Sequence, residues 1–310
     1  MIHLENVTKL YGSVMGVNDV TMSLAANAYG LIGPNGSGKS TLLNLITGQL
    51  RPTLGSLSVL GCDPWNNREM FRRIGVCPER DLLYHDVTGF DWVRYLLELN
   101  GYGRAEAAKR AGQALDQLGL SEAMRRRMGG YSRGMRQRTK LAQALAHEPE
   151  LLILDEPFNG LDPLGRHAMT EVLRQWVRDG KGLLLASHIL HEVEAVTDSF
   201  LMICSGRLLA SGSAEEVHAL LADVPAEIHI RCQGAARLAR QAVEEELVQA
   251  VRFTDGDEGL VLSTRSPAAV YARLPQWTDD TNVRIHELRS SGESLETLFG
   301  SLLRIHRGGS

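Results

Sequence analysis

The sequence predicts an α/β fold with a mixed sheet core and a helical subdomain, followed by a small C-terminal α+β domain. Three observations carry that expectation. Short apolar runs alternate with helix-period stretches over the first two-thirds of the chain, the pattern of α/β architecture. GPNGSGKS, residues 33–40, stands between a strand-like run and a helical one. Past DVP, residues 223–225, the order changes to β-α-β-β-α-β, which suggests a ferredoxin-like module.

The elements follow in order. AYGLIG (28–33) reads as a strand and KSTLLNLITG as the helix after a glycine-rich turn. A helix-rich segment at about 80–147, including FDWVRYLLELN and RAEAAKRAGQALDQLG, interrupts the strand alternation as an inserted subdomain would. LLILDE (151–156) is continuously apolar up to its acidic end, as expected of a strand buried on both faces. GRHAMTEVLRQWVRDG reads as a helix closed by glycine and GLLLAS as the next buried strand. These make a first domain, 1–222. The second, 225–307, reads as strand AEIHIRC, helix AARLARQAV, strands QAVRF and GLVLST, helix PAAVYARL and strand VRIHEL. TDGDE joins its middle strands with an Asp-Gly turn signal, and ESLETLFGSLL is expected as a closing helix.

Bulk properties remove several function classes. Of 310 residues, 44% are apolar and 23% charged, close to globular averages, so a disordered chain is not expected. A net charge of -4 gives no reason to expect a nucleic-acid partner. Cys62, Cys77, Cys204 and Cys232 are scattered with no CxxC pair, which argues against a zinc site or disulfide framework and fits a reducing cytosol. MIHLENVTKLYG lacks the features of a signal peptide, and LLILDEPF and GLLLASHIL stop short of a membrane span. Work at a membrane would therefore need another protein to span it.

The chemistry concentrates in a few stretches. GPNGSGKS satisfies G-x-x-x-x-G-K-[ST] in the right strand–loop–helix setting. Gly33, Gly36 and Gly38, with Pro34, Asn35 and Ser37 between them, let backbone N–H groups point at phosphates, and the helix that follows adds its positive end. Lys39 supplies a point charge; the Ser40 hydroxyl can ligate Mg²⁺, and Thr41 continues the binding set. Asp155, ending a buried strand, can hold Mg²⁺, and Glu156 beside it can polarise an attacking water. His188 follows GLLLAS at the carboxyl edge, where open α/β sheets bind ligands. Tyr11 offers a ring for base stacking. RRRMGGYSRGMRQRTK, residues 125–140, carries six arginines and a lysine without an acid. Alone it admits a nucleic-acid patch, a solvated face, or cations kept for another reason.

Taken in order, Tyr11, GPNGSGKST, IGVCPE, YSRGM, LLILDEP, NGLD and ASHILHE resemble the ATPase subunit of ATP-binding cassette (ABC) transporters, over roughly residues 1–218. The resemblance implies a phosphate-loop ATPase that binds ATP and Mg²⁺, with Glu156, His188 and Lys39 in catalysis and Ser40, Asp155 and Glu79 around the metal. It implies two cassettes closing head to tail, as a homodimer or heterodimer. Ser132 and Gly134 would then reach the partner's γ-phosphate, and Asp162 of NGLD would lie at the interface. On this reading the arginines around YSRGM hold its helix and neighbours together and give phosphate a positive field; Arg125 to Arg127 form a solvated face. Two positions depart from the family pattern: Arg133 replaces the first glycine of Leu-Ser-Gly-Gly-Gln, and Glu79 replaces a glutamine. Both resemble the branch exporting drugs, antibiotics, lipids or polysaccharides, as does SLETLF near the end.

The implied partner is an integral membrane permease docked on residues 79–100, with Trp92 and Tyr95 on the docking face, at the cytoplasmic side of a bacterial inner membrane. A soluble ABC ATPase acting on nucleic acid or ribosomes is the rival class. It is disfavoured because only about ninety residues, with no heptad run, separate GKST from YSRGM, and because one cassette is present rather than two. Residues 225–307 are also open to a regulatory or dimer-contact role.

Overall fold

The computed structural model describes residues 1–80, 83–213, 216, 225–254 and 258–290. The chain divides into two units, Met1–Ala214 and Glu215–Ser310, so the division falls some residues before the expected 222. AEEVHALL (apart from Glu216), the DVP boundary up to Val224, the centre of TDGDE and the helix ESLETLFGSLL lie outside the described residues.

The first unit holds β1 (Ile2–Tyr11), β2 (Val14–Leu24), β3 (Ala28–Ile32), α1 (Lys39–Ile46), β4 (Leu54–Val59), α2 (Arg68–Arg73) and β5 (Ile74–Cys77). The helical segment follows as α3 (Gly89–Leu99), α4 (Arg104–Gln117) and α5 (Arg133–Leu145). The unit ends with β6 (Leu151–Asp155), α6 (Pro163–Arg178), β7 (Gly182–Ser187), α7 (Leu190–Glu194), β8 (Ser199–Cys204) and β9 (Arg207–Ser213). Its main sheet runs β5-β6-β7-β3-β8-β9. The first five strands are parallel and β9 closes the edge antiparallel. Every residue of β6 and β7 is buried, which explains their unbroken apolar runs.

A second, antiparallel sheet, β2-β1-β4, had no counterpart in the sequence reading, which assigned no element before Ala28. The reason is visible in the register. Pairing of β1 with β2 shifts between Leu4 and Val7 and twice more before Tyr11, and Asn6 sits at φ 50. Each bulge resets the two-residue alternation by which a strand is recognised. Both sheets close on α1 in one core containing Ile2, Val20, Leu31, Leu42, Leu45, Ile46 and Ile153. Burying each such side chain contributes about 1.5–3 kcal/mol, and a truncation such as Leu45→Ala would cost about 2–5 kcal/mol.

The helical segment is fastened by the cations the sequence singled out. Arg136 donates to the Tyr131 carbonyl at 2.6 Å, and Arg138 to those of Leu118 and Gly119 at 3.2 and 3.3 Å. Arg125 lies over the Phe90 ring at 4.6 Å. Arg127 stays largely in solvent, 4.0 Å from Asp86.

The second unit is β10 (Ala226–Cys232), α8 (Ala235–Glu244), β11 (Ala250–Thr254), β12 (Gly259–Thr264), α9 (Pro267–Thr281) and β13 (Ile285–Ser290). Its sheet, β11-β12-β10-β13, is antiparallel throughout, the strand order of a ferredoxin-like module. Leu238, Leu262, Val270 and Trp277 anchor its separate core. The sequence expected the second helix to end at Leu274, before Pro275; α9 instead continues to Thr281. Burial of Trp277, and its indole hydrogen bond to Glu245 at 2.7 Å, outweigh the donor lost at the proline.

Candidate nucleotide site

The carboxyl ends of the parallel strands deliver their side chains to one cleft of about 500 Å³, lined among others by Tyr11, Lys39, Ser40, Glu79, Asp155 and Glu156. A larger concavity, about 1130 Å³, lies on the β2-β1-β4 sheet, lined by residues such as His3, Ser23, Ser56 and Trp65. It holds no phosphate loop and no paired carboxylates, so the chemistry belongs to the smaller cleft.

The loop between β3 and α1 is shaped by glycine. Gly38 caps α1 at φ 107, and a Cβ there would lie 2.5 Å from the Gly16 carbonyl. A Cβ at Gly33 would strike the Ile203 carbonyl. The loop is thus held tightly against β8 and β2, with α1's N-terminal amides directed outward. Lys39 is buried, and its ammonium donates to the Gly33 and Pro34 carbonyls at 2.7 and 3.3 Å. Burial pulls its pKa down, opposed by Glu156, Asp155 and Glu79. Pro34, Asn35, Gly36, Ser37 and Thr41 complete the expected set around it; the buried Ser37 hydroxyl has no partner.

Asp155 ends β6 with its Oδ1 buried and unpartnered. Burial drives its pKa up, countered by a hydrogen bond from Ser40 and by Lys39. An orphaned carboxylate oxygen beside a hydroxyl, with Glu79 in the same cleft, fits a hard divalent cation. Two carboxylates and one hydroxyl leave room for the phosphates and water that Mg²⁺ retains.

Glu156 sits one residue past the strand at φ 50, a left-handed conformation that costs a glutamate on the order of 1–2 kcal/mol. The turn brings its carboxylate back under the loop, 3.9 Å from the Lys39 ammonium. His188 Nδ1 lies 2.9 Å from its Oε1, and the Ser187 hydroxyl donates to its Oε2 at 3.3 Å. The same hydroxyl proton is shared with Glu192 Oε2 at 3.1 Å, and Glu192 pairs with Arg166 of α6 at 3.2 Å. The sequence reading missed this extension.

Tyr11 packs over Gly16, where a Cβ would meet its ring at 2.7 Å and Thr41 at 2.9 Å. The ring is 45% exposed, with Lys9 5.6 Å from its centroid. The ring is therefore accessible beside the phosphate loop.

Ser132 and Asp162 lie on exposed turns of this unit. Ser132 caps α5 by accepting from the Met135 amide at 3.2 Å; Asp162 caps α6 by accepting from Gly165 at 2.9 Å. Arg133 joins the two turns: a Cβ at Gly160 would fall 2.5 Å from its Cγ and Cδ, and one at Gly134 would lie 3.2 Å from the Gly160 carbonyl. Gly160 itself adopts φ 79.

Two buried polar residues of α5 also escaped the sequence reading. Gln137 donates to the Pro157 carbonyl at 2.8 Å, and Lys140 to those of Pro78 and Glu79 at 2.8 and 2.9 Å. Their signal was present: they share a helix face with Leu141 and Ala144, where an amphipathic helix should be apolar.

Comparison with known proteins agrees with the geometry. A family model described as ABC transporter matches residues 17–159. The chain is 37% identical to an uncharacterized ABC transporter ATP-binding protein of Nostoc, over 70% of this chain and 68% of the relative. It is 36% identical to the Nod factor export ATP-binding protein I of Burkholderia orbicola, over 71% and 72%. Among solved structures, the dimeric structure of a bacterial ABC transporter cassette aligns at a TM-score of 0.65 and 25% identity, covering 69% of this chain and 98% of that one.

Proposed function

The chain belongs to the ABC transporter ATP-binding proteins, a family of ATP-hydrolysing cassettes, and from that premise we propose that it works as a head-to-tail dimer powering a separate membrane permease in the export direction. The observation that carries the reading is the convergence of Lys39, Asp155, Glu156 and Glu79 on one cleft beneath the phosphate loop.

The triphosphate binds along the amides of residues 33–41. Lys39 turns from the Gly33 and Pro34 carbonyls to phosphate oxygens, which meet its buried charge directly. Ser40, Asp155 and Glu79 would hold Mg²⁺, which would supply charge neutralisation to the triphosphate. Glu156 takes the proton of the attacking water as the new P–O bond forms and ADP leaves. His188, with Nδ1 2.9 Å from the Glu156 carboxylate, holds the base in place beside the triphosphate. Ser132 and Gly134 close on the partner's γ-phosphate through the N-terminus of α5, and Asp162 faces the same interface.

The permease docks on the helical segment, where Tyr84, Tyr95 and Leu99 are 66%, 53% and 64% exposed. Among the described residues no helix is long and apolar enough to cross a membrane; the subunit sits at the cytoplasmic face of a bacterial cell membrane. Export is supported by the 36% identical relative named for Nod factor export, and by Arg133 and Glu79 at the two departures from the family pattern.

Glu156→Gln tests the core of this reading. Phosphate release should fall by about 10²–10⁴-fold, the contribution of a general base, while ATP binding persists and a nucleotide-dependent dimer accumulates in size-exclusion chromatography with light scattering. Near-normal turnover would remove Glu156 from its role, and absence of any dimer would remove the composite site.

A further inference from the structure

The helix that carries Ser132 also grips the loop that carries Glu79. Lys140 lies on the inner face of α5, only 3% exposed. Its ammonium donates to three successive carbonyls, those of Pro78, Glu79 and Arg80, at 2.8, 2.9 and 3.5 Å. Burying an ammonium is costly unless its donors are met, and here three donors face three acceptors. A planar guanidinium could not converge on one point in this way. Three carbonyls turned toward one spot fix the backbone on both sides of Glu79. Gln137, one turn earlier, holds the Pro157 carbonyl at 2.8 Å and reaches that of Glu156 at 3.5 Å.

We propose that Lys140 is a positioning residue that sets Glu79 for Mg²⁺, so that α5 ties its own subunit's metal loop to the tip facing the partner's nucleotide. The inference rests on the reading of Glu79 as a metal ligand. Without the ammonium, three carbonyls lose their donor, the 78–80 segment opens to water, and the Glu79 carboxylate no longer has one position in the cleft it shares with Asp155.

The test compares Lys140→Met, which keeps the apolar stem, with Glu79→Ala and the double variant. Mn²⁺ affinity is measured by electron paramagnetic resonance with saturating ATPγS. Nucleotide affinity without metal is measured in EDTA by displacement of a fluorescent ATP analogue. Lys140→Met should weaken Mn²⁺ binding by about 10-fold, the lower end for loss of a group that orients a ligand, and leave metal-free nucleotide affinity within about twofold. The double variant should bind Mn²⁺ no more weakly than Glu79→Ala, because both changes remove one interaction. Amide exchange at residues 79 and 80 of the nucleotide-free chain should speed up in Lys140→Met. Unchanged Mn²⁺ affinity, or losses that simply add, would overturn the proposal. If Lys140→Met does not fold by circular dichroism, Lys140→Gln, which leaves at most two donors for the three carbonyls, should show the same loss of Mn²⁺ affinity in smaller degree, and an unchanged affinity would overturn the proposal. A wild-type chain that bound no nucleotide would defeat the parent reading instead, and the exchange experiment would still decide whether Lys140 holds the turn.

Discussion

Asp155 shows at a single position how the site trades stability for binding. Its Oδ1 is buried without a partner, and burial holds its pKa above the ordinary carboxylate range. The folded, nucleotide-free chain therefore keeps this proton more tightly than the unfolded chain does. That favourable linkage is complete at low pH and is lost as pH rises through the unfolded and then the folded pKa. At neutrality the ionised group is a cost to the fold. Asp155→Asn should accordingly raise the melting temperature of the nucleotide-free chain at pH 7, on the order of 2–4 °C for each kcal/mol relieved, and give no gain at pH 3. It should also abolish the stabilisation that Mg-ATP confers on the wild type. Scanning calorimetry with and without Mg-ATP reads both effects. Residues of this kind were legible in sequence because a strand ending in two acids, beside a phosphate loop, has few other uses. Lys140 and Gln137 were not, because a lysine and a glutamine in a basic helix resemble solvated positions until the helix face is known.

Among elements, legibility followed the regularity of the pattern. β6 and β7 are buried end to end, and their apolar runs identified them. β1 and β2 are bulged, so their alternation breaks and no strand was read. The continuation of α9 past Pro275 was hidden because it depends on a partner in another helix. That partner is Glu245, just past α8, which accepts from Arg273 at 2.7 and 2.8 Å and from Trp277 at 2.7 Å. These bonds, Arg273 foremost, hold the Glu245 carboxyl down at about 2. A depressed carboxyl stabilises above its unfolded pKa and loses that contribution as pH falls toward the folded value. The C-terminal unit should thus weaken as pH falls from the ordinary carboxylate range to about 2, and Glu245→Gln should lower its melting temperature at pH 7 and flatten that acid limb. Calorimetry of the full chain across this pH range checks it; an unchanged acid limb would show that the clamp contributes nothing.

For the whole molecule, the proposed coupling to a permease would run from the nucleotide cleft through the helical segment. The sequence places Trp92 and Tyr95 together on the docking face, but they are not equivalent. Trp92 donates to Gln143 at 2.6 Å and rests on Tyr84, their centroids 5.5 Å apart, whereas Tyr95 stands 53% exposed one turn from the exposed Leu99. Tyr95→Ala should reduce permease-coupled transport in proteoliposomes while basal ATP hydrolysis stays within about twofold, since a surface truncation rarely moves stability by more than about 0.5 kcal/mol. Trp92→Ala should also loosen the segment and lower its thermal stability. Equal loss of transport and hydrolysis in Tyr95→Ala would place that residue in the machinery of turnover. The aromatic ring at the mouth of the cleft has a last consequence. Beside it lie Val14, Met15 and Gly16, with Lys9 and Thr41 as its polar neighbours; none of these is an amide side chain that would pair bidentately with an adenine edge. A flat ring grips any base by its face, so GTP should be consumed with a specificity constant within about tenfold of ATP's, a gap of about 1.4 kcal/mol, and the cell's guanine pool becomes a second fuel.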